Sequence, residues 1–171
     1  LKDGAFADIM EQTLYNGVLS GISQSGDKFF YANYLSVYPP YFEHADCTVT
    51  DNMQATRQPW FETSCCPPNI ARLLSSIGGY CYGTDDDGIY VHLYAASKAR
   101  LQLAGVSIAM RMECDYPWKG DIVITIEPER NTEFSLHMRI PGWSEVLEVT
   151  VNGSAVKYTI KKGYLCICRC R

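Results

Sequence analysis

No stretch of this 171-residue chain approaches the roughly 18 consecutive apolar residues that a membrane-spanning helix needs. It also has no basic stripe and no Arg-rich block. Fifteen Lys plus Arg stand against nineteen Asp plus Glu, a net charge of −4, which argues against a nucleic-acid surface. The chain does not open on a charged-then-apolar leader, and no segment is repeated or of low complexity. Eight cysteines make up about 5% of the residues, below the roughly 8–10% of a disulfide scaffold. Their positions, 47, 65, 66, 81, 114, 166, 168 and 170, do not form a CxxC…CxxC zinc pattern. What remains is 47% hydrophobic and 20% charged, enough to bury a core. The length fits about one domain. However, the first residue is Leu, and Cys166 to Arg171 read as an unfinished strand, so the expectation is a piece of something longer.

The pattern along the chain changes partway. Phe6, Met10, Leu14, Gly17 and Val18 recur at helical spacing, with Asp3 as the cap and Gly21 as the stop. A Ser25-Gly26-Asp27 turn then leads into an aromatic, strand-like run over residues 28–35. From Tyr38 to Ser64, Pro39-Pro40, Pro59 and many polar residues break any period, a loop of the length usually kept for function. Pro67 and Pro68 suit the first turn of a second helix, whose apolar face is Ile70, Leu73, Leu74 and Ile77. Gly78-Gly79 weakens its end, and Gly83 with Asp85 to Gly88 closes it. From Ile89 on, strands are expected at 89–94, 99–103, 106–113, 121–127, 133–140, 147–151, 156–160 and 164–170. Turns are expected at Asn152-Gly153 and Lys161-Lys162-Gly163. Such spacing suggests a β-sandwich. The helical part, residues 1–85, cannot close a core with two helices, so it belongs to a larger helical body or packs on the sheets of residues 86–171.

Chemistry concentrates at Cys65-Cys66. A helix N-terminus favours a thiolate, although the two prolines remove some of the N–H groups responsible. Two adjacent thiolates can share one zinc, a site that normally takes four ligands. The same residues also read as buried free thiols or a strained vicinal disulfide. Cys166, Cys168 and Cys170 fall on one strand face and read as small buried hydrophobes. Glu43, Asp46, Asp51 and Glu62 read as solvated loop charges, His44 as a loop histidine, and His92 and His137 as structural. Trp60-Phe61 and Phe29-Phe30-Tyr31 suit either a sugar site or a core.

The run Cys65-Cys66-Pro67-Pro68-Asn69-Ile70-Ala71-Arg72-Leu73 resembles the signature of glycoside hydrolase family 127, the β-L-arabinofuranosidases. Ala7-Asp8 with Leu14 to Gly21, Lys28 to Asn33, Trp60-Phe61, Arg139 to Trp143 and Val151 to Gly153 resemble the same family in order. The resemblance implies an α+β chain: the C-terminal slice of an (α/α)6 barrel over 1–85, then an antiparallel β-sandwich over 86–171. It implies a retaining hydrolase that releases β-L-arabinofuranose from an oligosaccharide or glycoconjugate. By it, Cys65 is the nucleophile and a zinc ligand, and Cys66 a second zinc ligand. Two further ligands, a glutamate and a cysteine, and the acid/base glutamate fall before Leu1. The chain alone is therefore expected to be inactive. Free reactive thiols fit a reducing, cytoplasmic compartment. The competing readings are a non-catalytic carbohydrate-binding or structural β-module, and a thiol-redox or zinc protein. Burial of Cys65 and Cys66 in apolar packing is the mark of the module.

Overall fold

The computed structural model describes residues 2–32, 34–36, 38, 40, 54–62, 65–86, 88–145 and 147–170. Cys47, Glu43, His44, Asp46 and Asp51 lie outside these residues, as does the Cys170 side chain. The chain is α+β and divides into two compact units, residues 10–76 in one and residues 1–9 with 77–171 in the other.

The first helix is divided between the units, its last four residues falling in the 10–76 unit. That helix, α1, spans Gly4–Thr13, and the Asp3 carboxylate caps it by accepting from the Ala5 N–H at 3.1 Å. A π-turn follows over Leu14–Val18, then a 3-10 turn over Leu19–Gly21, and Ile22 is extended. The expected stop at Gly21 is therefore where helical structure ends. The expected apolar face is not the buried one. Ala7 and Glu11 are buried, while Phe6 is 53% exposed. The π-turn also adds a residue to each loop of the ladder, so it breaks the 3.6-residue period past Thr13. The Ser25-Gly26-Asp27 turn forms, with Ser23 and Ser25 donating to the Asp27 carboxylate. The described residues of the 28–35 run do not form the expected strand. Phe29 alone bridges to Ile22 and to Gln58. The second helix, α2, spans Cys66–Ser76 with both prolines in its first turn. Ile70 and Leu73 are half-buried and Leu74 is exposed.

The other unit opens on α3, Gly78–Cys81, so the glycine pair starts a short turn instead of ending the helix. Strand β1 (Tyr82–Thr84) forms where a closing turn was expected, pairing antiparallel with β2 (Gly88–Val91). The rest are β3 (Ser97–Leu103), β4 (Val106–Cys114), β5 (Ile122–Pro128), β6 (Phe134–Arg139), β7 (Thr150–Val151), β8 (Ser154–Ala155), β9 (Thr159–Lys161) and β10 (Tyr164–Cys170). One sheet has the order β1-β2-β6-β10-β9, a second β3-β4-β5, and β7-β8 is a separate hairpin.

The expectation of a wholly antiparallel arrangement fails at one pair, because β2 and β6 run parallel. After β2 the chain builds the entire second sheet, then returns beside β2 in the same direction. That long crossover is what a parallel pair requires.

Alternation sets the core. On β4, Val106, Ile108, Met110 and Met112 are buried, with exposed or half-buried residues between them. Ile108, Met110 and Met112 join Ile89, Val91, Leu103, Phe134 and Leu136 in one cluster fed by both sheets. Each such side chain contributes about 1.5–3 kcal/mol when fully buried. The other face of the five-stranded sheet carries Tyr90, His137, His92 and Tyr164, with Tyr90 stacked on His137 at 4.2 Å and His92 Nδ1 2.6 Å from the Tyr164 hydroxyl. Residues 2–8 reach these strands. Lys2 pairs with Asp85 and sits over the Tyr90 ring, Gly4 N–H donates to the Lys162 carbonyl at 2.8 Å, and Asp8 pairs with Arg139 at 2.5 Å.

Candidate functional site

The cysteine pair sits where a loop enters α2. Cys65 immediately precedes the helix and Cys66 is its first residue. The backbone there is tied down by the residues that follow. Asn69 Nδ2 donates to the Cys65 carbonyl at 2.8 Å, and Arg72 Nη2 donates to Asn69 Oδ1 at 2.5 Å. The spacing Cys-x3-Asn-x2-Arg thus has a physical reason: one helical turn brings the amide back over the cysteine, and the next charge orients the amide.

The two sulfurs are 3.7 Å apart. Cys65 is exposed and Cys66 half-buried, so the pair is not shut into apolar packing. Cys66 donates its S–H to the Tyr31 carbonyl at 3.4 Å. Neighbouring Cys65, before burial, pushes the Tyr31 phenol above its ordinary range. Burial, then contact with Cys65, pushes the Cys66 thiol up as well. The helix N-terminus does not win for Cys66, since Pro67 and Pro68 withhold the N–H groups that carry its positive end.

Aromatic packing supports Tyr31. Its ring meets Phe61 edge-on at 5.7 Å, and Phe61 meets Phe29 at 5.2 Å. Both phenylalanines are buried. Phe29 is pinned to Gln58 by two backbone hydrogen bonds of 3.0 and 2.9 Å. Arg57 lies over Phe30 and donates to the Ser20 carbonyl at 2.5 Å. Of the aromatic residues weighed for a sugar site, Phe29 and Phe61 are therefore core, while Tyr31 touches the cysteines and Trp60 is 66% exposed. Glu62 is exposed.

The remaining residues weighed in the sequence fall elsewhere. His92 and His137 belong to the sheet cluster. Cys81 and Cys166 are buried, as the small-hydrophobe reading expects, but Cys168 is exposed, its sulfur 3.2 Å from that of Cys166. A register shift between Ile167 and Cys170 breaks the regular strand there. Tyr31, Asn69 and Arg72 are the site residues that pattern reading did not single out. Asn69 and Arg72 stood inside the recognised run, whereas nothing in the sequence marks Tyr31 apart from its aromatic neighbours.

The fold and site define a class: an α+β chain that couples a thiol-bearing helix start to a two-sheet β-module. Comparison with known proteins is specific to a family. Residues 1–79 match the model of the β-L-arabinofuranosidase GH127 catalytic domain, and residues 88–170 that of the GH127 middle domain. A non-reducing end β-L-arabinofuranosidase of Bifidobacterium longum subsp. longum is 33% identical over 168 residues, 95% of this chain and 25% of that protein. The crystal structure of a GH127 β-L-arabinofuranosidase from Geobacillus stearothermophilus T6 superposes with a TM-score of 0.84 at 45% identity, covering 97% of this chain and 26% of that one. A second GH127 β-arabinofuranosidase structure gives 0.78 at 35% identity, over 98% and 27%. The chain belongs to the GH127 β-L-arabinofuranosidase family of glycoside hydrolases. It spans about a quarter of the length of these relatives.

Proposed function

We propose that this chain carries the nucleophile half of a retaining β-L-arabinofuranosidase site, with Cys65 as the attacking thiolate. The carrying observation is the exposed Cys65 sulfur, 3.7 Å from Cys66, at a helix start within the segment matched to the catalytic domain. In this reading residues 1–85 are the last slice of an (α/α)6 barrel and residues 86–171 a β-sandwich.

The residues present suit zinc. Two sulfurs bonded at about 2.3 Å to a tetrahedral ion lie about 3.8 Å apart, and the pair here is at 3.7 Å. Among the described residues no group of three or more potential ligands gathers, so Cys65 and Cys66 supply two of the usual four. When bound, zinc keeps a thiol deprotonated at neutral pH.

The chemistry follows from retention. The Cys65 thiolate attacks the anomeric carbon while a carboxylic acid on the opposite side protonates the departing oxygen. The bond to the leaving group breaks as the carbon–sulfur bond forms. The resulting carboxylate then takes a proton from water, whose oxygen displaces the sulfur with a second inversion. Asn69 and Arg72 hold the Cys65 backbone through this cycle.

Replacing Cys65 by Ser in the full-length polypeptide tests the reading. We expect hydrolysis of an aryl β-L-arabinofuranoside to fall by at least about 10³-fold, as removal of a nucleophile does. Turnover within a few-fold of wild type assigns the nucleophile elsewhere. The reading as a non-catalytic module is disfavoured by the exposure of Cys65.

A further inference from the structure

The hydrolysis leaves the cysteines of β10 without a role, and the strand is irregular where they stand. In a regular strand Cys166 and Cys168 would share one face, with Cβ atoms about 6–7 Å apart. A disulfide needs those atoms at about 3.5–4.5 Å, so an undistorted strand does not close one. β10 is distorted here. Its ladder to β6 runs step by step from Tyr164 opposite Arg139 to Ile167 opposite Leu136, then resumes with Cys170 opposite Phe134. Cys168 and Arg169 thus share the place opposite Ser135, one residue too many, which is a bulge. Along the other edge, β9 pairs with Tyr164, Leu165 and Cys166 and, among the described residues, with nothing beyond.

The consequence is seen at the sulfurs. Cys166 Sγ and Cys168 Sγ lie 3.2 Å apart, against 3.7 Å for the Cys65–Cys66 pair. A disulfide bond is about 2.0 Å long, so about 1.2 Å of approach remains. The two side chains have different surroundings. Cys168 is exposed, and Cys166 is buried. One thiol meets a reagent in solvent while the other lies beside it, shielded from that reagent. This is the division between an attacking and a resolving cysteine.

We propose that Cys166 and Cys168 are a site of reversible oxidation, closed to an intrastrand disulfide by a peroxide. The Cys168 thiolate attacks one peroxide oxygen, the O–O bond breaks, and hydroxide leaves with the proton lost by the thiol, as water. The Cys166 sulfur then attacks the sulfur of the resulting sulfenic acid. The S–S bond forms, the S–O bond breaks, and the hydroxyl departs with the Cys166 proton as a second water. Two thiols lose two electrons in all, and the peroxide takes them. A small dithiol reverses the step by exchange.

The test is peptide mapping of the full-length protein, treated with hydrogen peroxide and then alkylated in denaturant. Trypsin cuts after Lys162 and Arg169, so residues 163–169 hold both cysteines in one peptide and Cys170 falls in the next. We expect alkylation of this peptide to fall at least about tenfold relative to that of the buried Cys81, because an intramolecular partner outruns other reactions. The unalkylated peptide should be lighter than the dithiol form by two hydrogens, and a dithiol added before alkylation should restore both labels. Cys166→Ser removes the resolving thiol, and Cys168 should then accumulate as a sulfenic acid trapped by dimedone, which it does not in wild type. Should that variant fold poorly, the wild-type mapping decides by itself. Full alkylation after peroxide, a sulfinic acid on Cys168 in place of the disulfide, or a disulfide joining this peptide to Cys170 overturns the proposal. So does equal closure in urea, because the bulge is then not what brings the sulfurs together. The state of Cys65 does not enter this readout, so failure here leaves the nucleophile reading untouched.

Discussion

Arg139 brings a full charge to a position where its side chain has no solvent exposure. It is tolerated because every direction is answered. Nη1 donates to Asp8 at 2.5 Å, Nε donates to the His92 carbonyl at 2.7 Å, and the guanidinium lies over the Tyr94 ring. The same Asp8 oxygen accepts from the Gly142 N–H at 3.3 Å, so one carboxylate gathers both ends of the Arg139 to Gly142 run. Removing it strands a buried cation. Asp8→Ala is expected to cost about 3 kcal/mol, the low end for a buried pair because Asp8 itself is a third exposed. Asp8→Asn, which keeps an acceptor, costs less, and chemical denaturation of both variants measures the difference. His92 adds a pH signature. Burial first, with the Arg139 charge contributing, holds its pKa below the usual 6.5. The unfolded chain therefore takes up a proton that the folded one refuses, and stability falls as pH drops below about 6.5. Between pH 7 and 5 the unfolding midpoint should fall further in wild type than in His92→Gln. Equal falls remove His92 as the source. At this scale the sequence was informative where chemistry is local. Adjacent cysteines before two prolines mark a site by themselves. Tyr31 was not legible, since it meets the pair across 34 residues of chain and its neighbours Phe29 and Phe30 look the same in sequence.

The elements show the same division between local and distant causes. Asn152-Gly153 and Lys162-Gly163 were readable as turns, and both pairs adopt positive φ, at 51° and 78° and at 49° and 75°. Ala104-Gly105 makes a turn of the same kind, at 49° and 74°, but was not foreseen because alanine seldom enters that region. The β4 and β5 strands were legible from alternation. The parallel pairing of β2 with β6 was not, because it joins residues more than 40 apart and no turn signals it. That pairing makes its own prediction. Gly88 opposes Ser135, and a Cβ at Gly88 would lie 1.9 Å from the Ser135 carbonyl oxygen. The obstacle is backbone in a central sheet, so no side chain can swing away. Gly88→Ala should push β2 from β6 and destabilise by about 1–3 kcal/mol or more, the range of overpacking. A denaturation midpoint unchanged by this substitution contradicts the close pairing.

Along the chain, the segment that carries the proposed nucleophile is followed by a β-module to which no part of the hydrolytic chemistry is assigned above. Family matches cover residues 1–79 and 88–170, so both parts are kept in one order with the relatives, and the thiols fall in the first. A retaining site needs groups on both faces of the sugar. A tetrahedral zinc needs four donors, and Cys65 and Cys66 are two. In the proposed reading both shortfalls have one origin, residues of the full-length polypeptide outside these 171. They should accordingly appear together in a comparison of the 171-residue chain with the full-length polypeptide. The full-length protein is expected to retain about one zinc per chain through dialysis against a weak chelator, as a four-ligand site does, and to hydrolyse an aryl β-L-arabinofuranoside. Cys66→Ala should release the metal, because losing a thiolate leaves three ligands. The 171-residue chain should neither hold zinc under the same dialysis nor turn over the substrate. The two measurements separate the ideas behind them. Stoichiometric zinc in a full-length protein lacking both thiols moves the metal away from this pair and leaves Cys65 to act unassisted. Robust turnover by the 171-residue chain contradicts a divided site altogether, because it requires an acid/base group from within residues 1–171.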